Sequence, residues 1–418
     1  MKVNLKNNFL KSIITLTSGS IIAQLITLIV SPIMTRLYSA DEIGTYSFIL
    51  TALSMFGSVS CGRYEMSIVT EPKEKNVYSL IKLSVIICLA FSMLISVGYG
   101  VYFAFFLKDE SMNIYTIMFI FVLLISSGVT NILISYNNRN KEYKLMTTVY
   151  VIRSAVQNIG IVIFGFLKFG VIGLLFSLTV GQICGLNRQS KSLKQYLKVI
   201  KAVKLSELFE VMKDNCRQPL FSAPATFSNG FAYSSINLFI QGLYGMTTLG
   251  YYSISFRVLG LPLSMISFNV AKVFFEDASR EYDVTGQFYG ALRKTALFLT
   301  ALAIPMVLVM IFLAPPLCGI LFGSEWEVAG QYIRILAPMF GIRFIVTTLT
   351  LGLQIARKQK YELILQILFA VVSILCYILA KITPLTVEGF LCSVSISFSV
   401  IYLVFFVIIL RCSKIKRY

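Results

Sequence analysis

Apolar runs of about 20 residues recur from one end of this 418-residue chain to the other, separated by short polar breaks. A helix rises 1.5 Å per residue, so about 20 residues cross a hydrocarbon core about 30 Å thick. The chain is 57% hydrophobic and 13% charged, against about 25% charged in soluble domains, which makes lipid its main solvent. Twelve spans are predicted, at 12–37, 43–64, 78–106, 112–136, 146–167, 170–187, 217–242, 248–274, 290–313, 328–355, 361–380 and 386–410. The first follows a short polar tail and carries no small-residue cleavage site, so it reads as a retained helix and not a signal peptide. Pro32, Pro224, Pro262, Pro305 and Pro338 fall inside spans, where packed neighbours re-satisfy the freed backbone groups.

The cations then sort by side. With the N-terminus in the cytoplasm, thirty of the 37 Lys and Arg fall in inner segments or inner helix ends. Only Arg36, Lys108, Lys168 and Lys381 fall in outer loops, a bias that puts both termini inside. The net charge of +18 is thereby assigned to anionic inner-leaflet lipid, which leaves a nucleic-acid partner nothing to explain. The outer loops are short, marked by Asp41 and Glu42, by Asp109 and Glu110, and by Glu325 and Glu327. Tyr38, Tyr46, Tyr244, Tyr251, Tyr252 and Trp326 are expected in an outer aromatic belt. The longest polar stretch, 188–216, spaces Leu193, Leu197 and Ile200 among lysines. It reads either as a basic amphipathic helix on the inner leaflet or as a solvated linker.

Eight cysteines are scattered without a CxxC, and histidine is absent. No metal site or disulfide framework is expected, and His-based acid–base chemistry is excluded. No cofactor is called for.

"RLYSADEIGTYSF" (36–48) and "GLYGMTTLGYYSI" (242–254) share Leu, Tyr, Gly, Tyr and Ser at an offset of 206 residues. Six predicted spans separate them, so both copies point the same way. The expectation is an all-α integral membrane protein of two six-helix lobes, 1–187 and 217–418, related by a pseudo-two-fold axis along the membrane normal and joined by the basic stretch 188–216. Gly44 and Gly250 are expected to allow tight turns, and Tyr46 and Tyr252 to anchor at the interface.

"PIMTRLYSADEIGTYSF", "GRYEMSIV" (62–69), "RQPLFSAPATFSNGFA" (217–232) and "GYYSISFRVLGLPLSMISFNVAKVFFEDAS" (250–279) resemble the first, second, seventh and eighth helices of Wzx-type polysaccharide flippases. These belong to the multidrug/oligosaccharidyl-lipid/polysaccharide (MOP) exporter superfamily, which includes the MATE transporters, and the likeness extends over nearly the full chain. The resemblance implies undecaprenyl-pyrophosphate-linked oligosaccharide as substrate, carried from the inner to the outer leaflet of a bacterial cytoplasmic membrane. It also implies a polysaccharide polymerase and a chain-length regulator as partners, and a proton or sodium gradient as the candidate drive.

Ionisable groups deep in a span are functional candidates because each costs several kcal/mol there. Arg153, Arg257 and Arg343 lie at such depth, and the spans that carry them hold no Asp or Glu at comparable depth. A cavity for cationic drugs calls for a carboxylate, whereas one for pyrophosphate calls for guanidinium forks. The three arginines are therefore expected in a central cavity with Asn229. Snorkelling, or capping of helix-end carbonyls, is the structural alternative. Glu65 is the best remaining carboxylate for coupling or gating. Arg63, two residues before it, is not expected to face it on a helix, so Glu65 would need a partner from another helix. Pro224 and Pro262 are expected to kink helices and to serve as hinges. Two other readings stay open: a multidrug exporter of the same superfamily, and a membrane polysaccharide polymerase, which the short outer loops disfavour.

Overall fold

A computed structural model describes residues 2–102, 114–356, 358 and 360–414, with side chains from residue 18 onward apart from those at 102, 114, 229, 233, 264 and 268. Lys108, Asp109, Glu110, Arg357, Lys416 and Arg417 lie outside the described residues, as does the side chain of Asn229. All regular structure among the described residues is helical. Ten of its stretches are long and apolar enough to cross a membrane.

Two features separate that number from the twelve spans expected. The predicted span at 43–64 is a helix of 17 residues, Ala40–Phe56. It gives way to turns in which Gly62 and Arg63 adopt φ 61° and 65°. The predicted spans at 217–242 and 248–274 run as one stretch, Ala223–Pro262, broken at Gly245 with φ 86° and ψ 179°. The outer loop expected there shrinks to a single glycine, which alone adopts that conformation without strain. Pro224 comes two residues after a π-helical turn, Gln218–Ser222, that runs into this stretch, the kind of irregularity that accompanies a proline inside a helix. Pro262 ends it, and a wide turn at Leu263–Ser267 leads into Phe268–Thr285.

The described chain divides into two compact units, residues 1–38 with 49–230, and residues 39–48 with 231–418. In the first, the helix Lys2–Leu37 lies along Tyr143–Phe166. Ser154 Oγ donates to the Ala23 carbonyl at 3.0 Å and Asn158 Nδ2 donates to Thr27 Oγ1 at 3.2 Å. Gly19 makes room for Thr147 on the same seam. The stretch 188–216 forms four short helices, Leu186–Gln189, Lys191–Lys194, Leu197–Ala202 and Leu205–Asp214. They are packed onto the unit and do not trail from it. Leu193, Ile200, Val203, Leu208 and Val211 are buried against Tyr64, Ile68, Tyr78 and Ile81, while Leu197 of the expected stripe is exposed. Tyr78 stacks on Tyr196 at 5.0 Å. Lys82 Nζ donates to the carbonyls of Lys201 (3.0 Å) and Val203 (2.7 Å).

In the second unit Glu327–Leu349 is the central helix, with thirteen buried residues. Tyr289–Phe322 runs beside it, close enough that a Cβ on Gly330 would lie 2.4 Å from Pro315 Cα. The outer face of that helix, with Leu297, Phe298, Ile304 and Phe312 exposed, is apolar, as contact with lipid requires.

The two copies of the repeat meet inside this second unit. A Cβ on Gly44 would lie 1.9 Å from the Met246 carbonyl oxygen, and a Cβ on Gly250 would lie 1.9 Å from the Ala40 carbonyl oxygen. The offset of 206 that relates Gly44 to Gly250 also relates Ala40 to Met246, so the contact is reciprocal. Asp41 Oδ1 accepts from Thr247 Oγ1 at 3.2 Å, and these two positions are likewise equivalent. The glycines therefore serve close approach of two helices, where a tight turn was expected. Ser39 and Glu42 cap Ala40–Phe56 reciprocally: the Ser39 N–H donates to Glu42 Oε2 at 2.8 Å and the Glu42 N–H donates to Ser39 Oγ at 3.3 Å, a capping box. Tyr46 and Tyr252 are 1% and 2% exposed and Trp326 is 2% exposed. These rings are core and not an interfacial belt. Tyr46 and Tyr252 lie two residues beyond the paired glycines, at equivalent positions of the repeat.

Candidate functional site

The motif "GRYE" departs most from its sequence-based reading. Arg63 NH1 lies 3.7 Å from Glu65 Oε1, although residues two apart on a helix diverge. The reason is local. Arg63 is left-handed at φ 65° and precedes the helix Tyr64–Thr70, so its side chain folds back over the first turn. A non-glycine residue there costs about 1–2 kcal/mol, and such strain clusters at functional positions. Arg63 Nε also donates to Ser222 Oγ at 3.4 Å. Glu65 is 2% exposed, and its Oε2 has no hydrogen-bond partner. Burial pushes its carboxyl up, against the backbone N–H and Arg63, which pull it down. Arg139 closes the other end of the short helix by donating to the carbonyls of Ile68 and Glu71.

Arg153 lies on Tyr143–Phe166 in the first unit. Its Nε donates to the Cys184 carbonyl at 3.0 Å and its NH2 lies 3.5 Å from Gln189 Oε1. Cys184 is the residue that ends the helix Gly170–Ile183, so the guanidinium caps a helix C-terminus, where a cation is favoured. It also lines a cavity of about 220 Å³ with Ser20, Thr147, Tyr150 and Gln189.

Arg257 and Arg343 lie in the second unit. Arg343 sits on the central helix with its guanidinium carbon 5.2 Å from the Phe340 ring centre and 5.9 Å from that of Phe256. The two rings meet edge to face at 5.5 Å, and Tyr252 lies 5.9 Å from Phe256. Phe340 and Arg343 are three apart on one helix and so share a face. Phe256 arrives from the helix that also carries Arg257. A guanidinium held against aromatic faces away from water gains about 2 kcal/mol or more, which keeps a cation in place at membrane depth. The structure thus puts Arg343 and Arg257 in one unit and Arg153 in the other. The aromatic wall of Tyr252, Phe256 and Phe340 was missed in the sequence. The spacing of Phe340 and Arg343 announced half of it, and nothing local announced Phe256. Among the described residues no group of three or more Cys, Asp or Glu is placed to hold a metal ion.

Over residues 33–331 the sequence matches the family described as polysaccharide biosynthesis protein. No curated protein matches it. Among solved structures it is similar to an inward-facing multidrug resistance MATE family transporter of the MOP superfamily, at 16% identity over 94% of this chain and 98% of that one, TM-score 0.67. It is similar to the lipid II flippase MurJ in an inward closed conformation, at 15% identity over 97% of this chain and 90% of that one, TM-score 0.72. It is also similar to a MOP superfamily transporter from Pyrococcus furiosus with a binding pocket of reversed polarity, at 16% identity over 96% of each chain, TM-score 0.61. At such identities these likenesses show the fold, which is that of multi-pass membrane transporters.

Proposed function

Because this chain belongs to the polysaccharide biosynthesis protein family, we propose that it is a flippase that carries undecaprenyl-pyrophosphate-linked oligosaccharide from the inner to the outer leaflet of the bacterial cytoplasmic membrane. The chain crosses the membrane twelve times in two six-helix lobes, 1–187 and 217–418, with 188–216 and both termini in the cytoplasm. The lobes alternate access to a shared cavity, and no bond is made or broken. The polar head crosses in water while the polyprenyl tail stays in lipid. The reciprocal contact of Gly44 and Gly250 supports a two-fold plan, and the family match to polysaccharide biosynthesis supports the substrate class. MurJ, by its name a lipid II flippase, supports a lipid-linked cargo on this fold.

The single observation that carries the chemistry is the placement of Arg343 against Phe256 and Phe340, on helices whose membrane portions contain no Asp or Glu. An anionic cargo is favoured there and a cationic drug is not. Arg257 and Arg153 supply further positive charge, with Asn229 as a sugar contact, Arg63 and Glu65 as the gating or coupling pair, and Pro224 and Pro262 as hinges. The direct test follows lipid-linked oligosaccharide by leaflet in cells carrying Arg343→Ala or Arg343→Lys. Translocation is expected to fall by tenfold or more in the alanine variant, the size of one lost charge-assisted hydrogen bond. The lysine variant is expected to recover little, because an ammonium neither forks nor stacks. Unchanged translocation removes Arg343 from the site. Loss of the gene is expected to trap intact lipid-linked units on the inner face. A polymerase defect would instead send single units to the surface.

A further inference from the structure

The helix Glu74–Tyr102 changes its cover along one face. Lys75, Lys82, Ile86, Leu89, Met93 and Val97 follow at spacings of seven, four, three, four and four, so they form a single stripe. The short helices of 191–214 lie across its first two turns. Lys75 Nζ pairs with Glu207 Oε1 at 2.6 Å, Lys82 Nζ donates to the carbonyls of Lys201 and Val203, and Tyr78 and Ser79 between them are buried. Beyond Lys82 the cover ends, and Ile86, Leu89, Met93 and Val97 are 46% to 63% exposed. From Ile86 to Val97 the helix rises about 16 Å, close to one leaflet's half of a hydrocarbon core about 30 Å thick. Lys82 therefore stands where apolar exposure gives way to protein cover, at the height of a headgroup layer. Lys198, Lys201 and Lys204 are exposed on the edge of that cover, and no acid occurs from 186 to 206. Among the described residues neither Lys82 nor Lys201 pairs with a carboxylate. Glu207 is taken at both oxygens, by Lys75 and by the Lys204 N–H, and Glu210, one turn further on, acts on Lys75.

From this juxtaposition we propose that the edge is a docking surface for an anionic phospholipid of the inner leaflet, with its phosphate held by Lys201 and Lys204 beside Lys82 and an acyl chain laid along Ile86, Leu89, Met93 and Val97. An ammonium has three N–H groups, so Lys82 keeps one beyond the two it gives to carbonyls. Long exposed lysines reach a headgroup while their stems lie on apolar surface. A soluble anion fits the lysines and leaves the stripe unused. A neutral phospholipid fits the stripe and leaves the lysines without a counter-charge. Only a lipid that carries negative charge satisfies both. Leu193 and Ile200, two of the apolar residues spaced for an amphipathic helix, are buried in the protein, so the leaflet is met by a charged edge and not by an apolar helix face. This docking surface rests on the flippase reading only for the inner placement of 188–216, and it is separate from the cargo site at Arg343.

The test uses the full-length protein in phosphatidylcholine vesicles with a phosphatidylglycerol probe that carries a diazirine in its acyl chain near the headgroup. Cross-links are expected at 86–97, and a phosphatidylcholine probe with the same chain should label there about fivefold less or weaker still, the weight of one or more surface lysines. High salt should narrow that preference. Lys201→Gln keeps the carbonyl that Lys82 uses, so the packing is retained, and it is expected to lower phosphatidylglycerol labelling about fivefold. Lys213→Gln, outside the edge, should leave labelling unchanged. Equal labelling by the two probes, or a phosphatidylglycerol preference that Lys201→Gln leaves whole, overturns the site. So does a probe that, delivered to intact cells, labels other helices and spares 86–97, which assigns the face to a protein partner. Translocation of lipid-linked oligosaccharide is scored in the same vesicles. Translocation without the preference loses the site and keeps the function, whereas the preference without translocation keeps the site and loses the flippase reading.

Discussion

Replacing Gly44 with alanine tests the reciprocal contact most directly. The added Cβ would sit 1.9 Å from the Met246 carbonyl oxygen and 2.7 Å from its carbonyl carbon. An unstrained carbon-to-oxygen contact is about 3.3–3.6 Å, so the two helices must separate by more than about 1 Å. Both partners are backbone, and no side chain can swing away. Overpacking of this kind costs about 3 kcal/mol, and alanine returns about 1 kcal/mol as the better helix former. A net loss of about 2 kcal/mol is expected for Gly44→Ala, and the same for Gly250→Ala against the Ala40 carbonyl. Gly242 supplies the control, since a Cβ there meets nothing within 4 Å and alanine should only stabilise. Thermal midpoints in one detergent at one scan rate rank the three variants. The double variant should cost less than the sum of the singles, because the first substitution has already parted the helices that the second would part. If Gly44→Ala and Gly250→Ala melt with Gly242→Ala, the close approach is wrong, and with it the structural basis for two-fold pairing of the repeats.

Three further outcomes follow. Glu65 has its carboxyl pushed up by burial, so its contribution to stability is full below the ordinary carboxylate range and is lost as pH rises through the elevated value; Glu65→Gln should flatten that decline and leave stability at neutral pH equal or higher, read as the midpoint against pH. Lys82→Met removes both donations to the 201–203 turn, and trypsin should then cut within 191–213 several times faster while the membrane helices stay intact, checked by mass mapping of timed digests. Cys216 is exposed, whereas Cys61 and Cys88 are buried; a membrane-impermeant maleimide should label Cys216 in inverted vesicles and not in intact cells, and the reverse result would put both termini outside.

The membrane class of the chain was legible in its sequence because hydrocarbon imposes a length and a polarity on every span, and those are local properties. Span boundaries agreed with the helices to within a few residues for 146–167, 170–187 and 361–380, whereas the helix expected at 290–313 runs on to Phe322 through Pro315 and Pro316. What residues do on contact was not legible. Gly44 and Gly250 were visible as a repeat, but their use as facing surfaces depends on the Met246 and Ala40 carbonyls standing where a Cβ would otherwise go, and distance across a fold is not a property of sequence spacing. Arg63 and Glu65 looked mutually averted under a continuous helix; the left-handed residue at 63 turns them together. Arg153 and Arg343 looked alike as buried cations, yet one caps a helix end and the other stands against two rings. Charge, apolar length and repetition are written along one dimension, and so the sequence by itself settled the solvent and the class of fold. Which groups share a site is fixed by helices packing at backbone contact, and only the tertiary structure decided it.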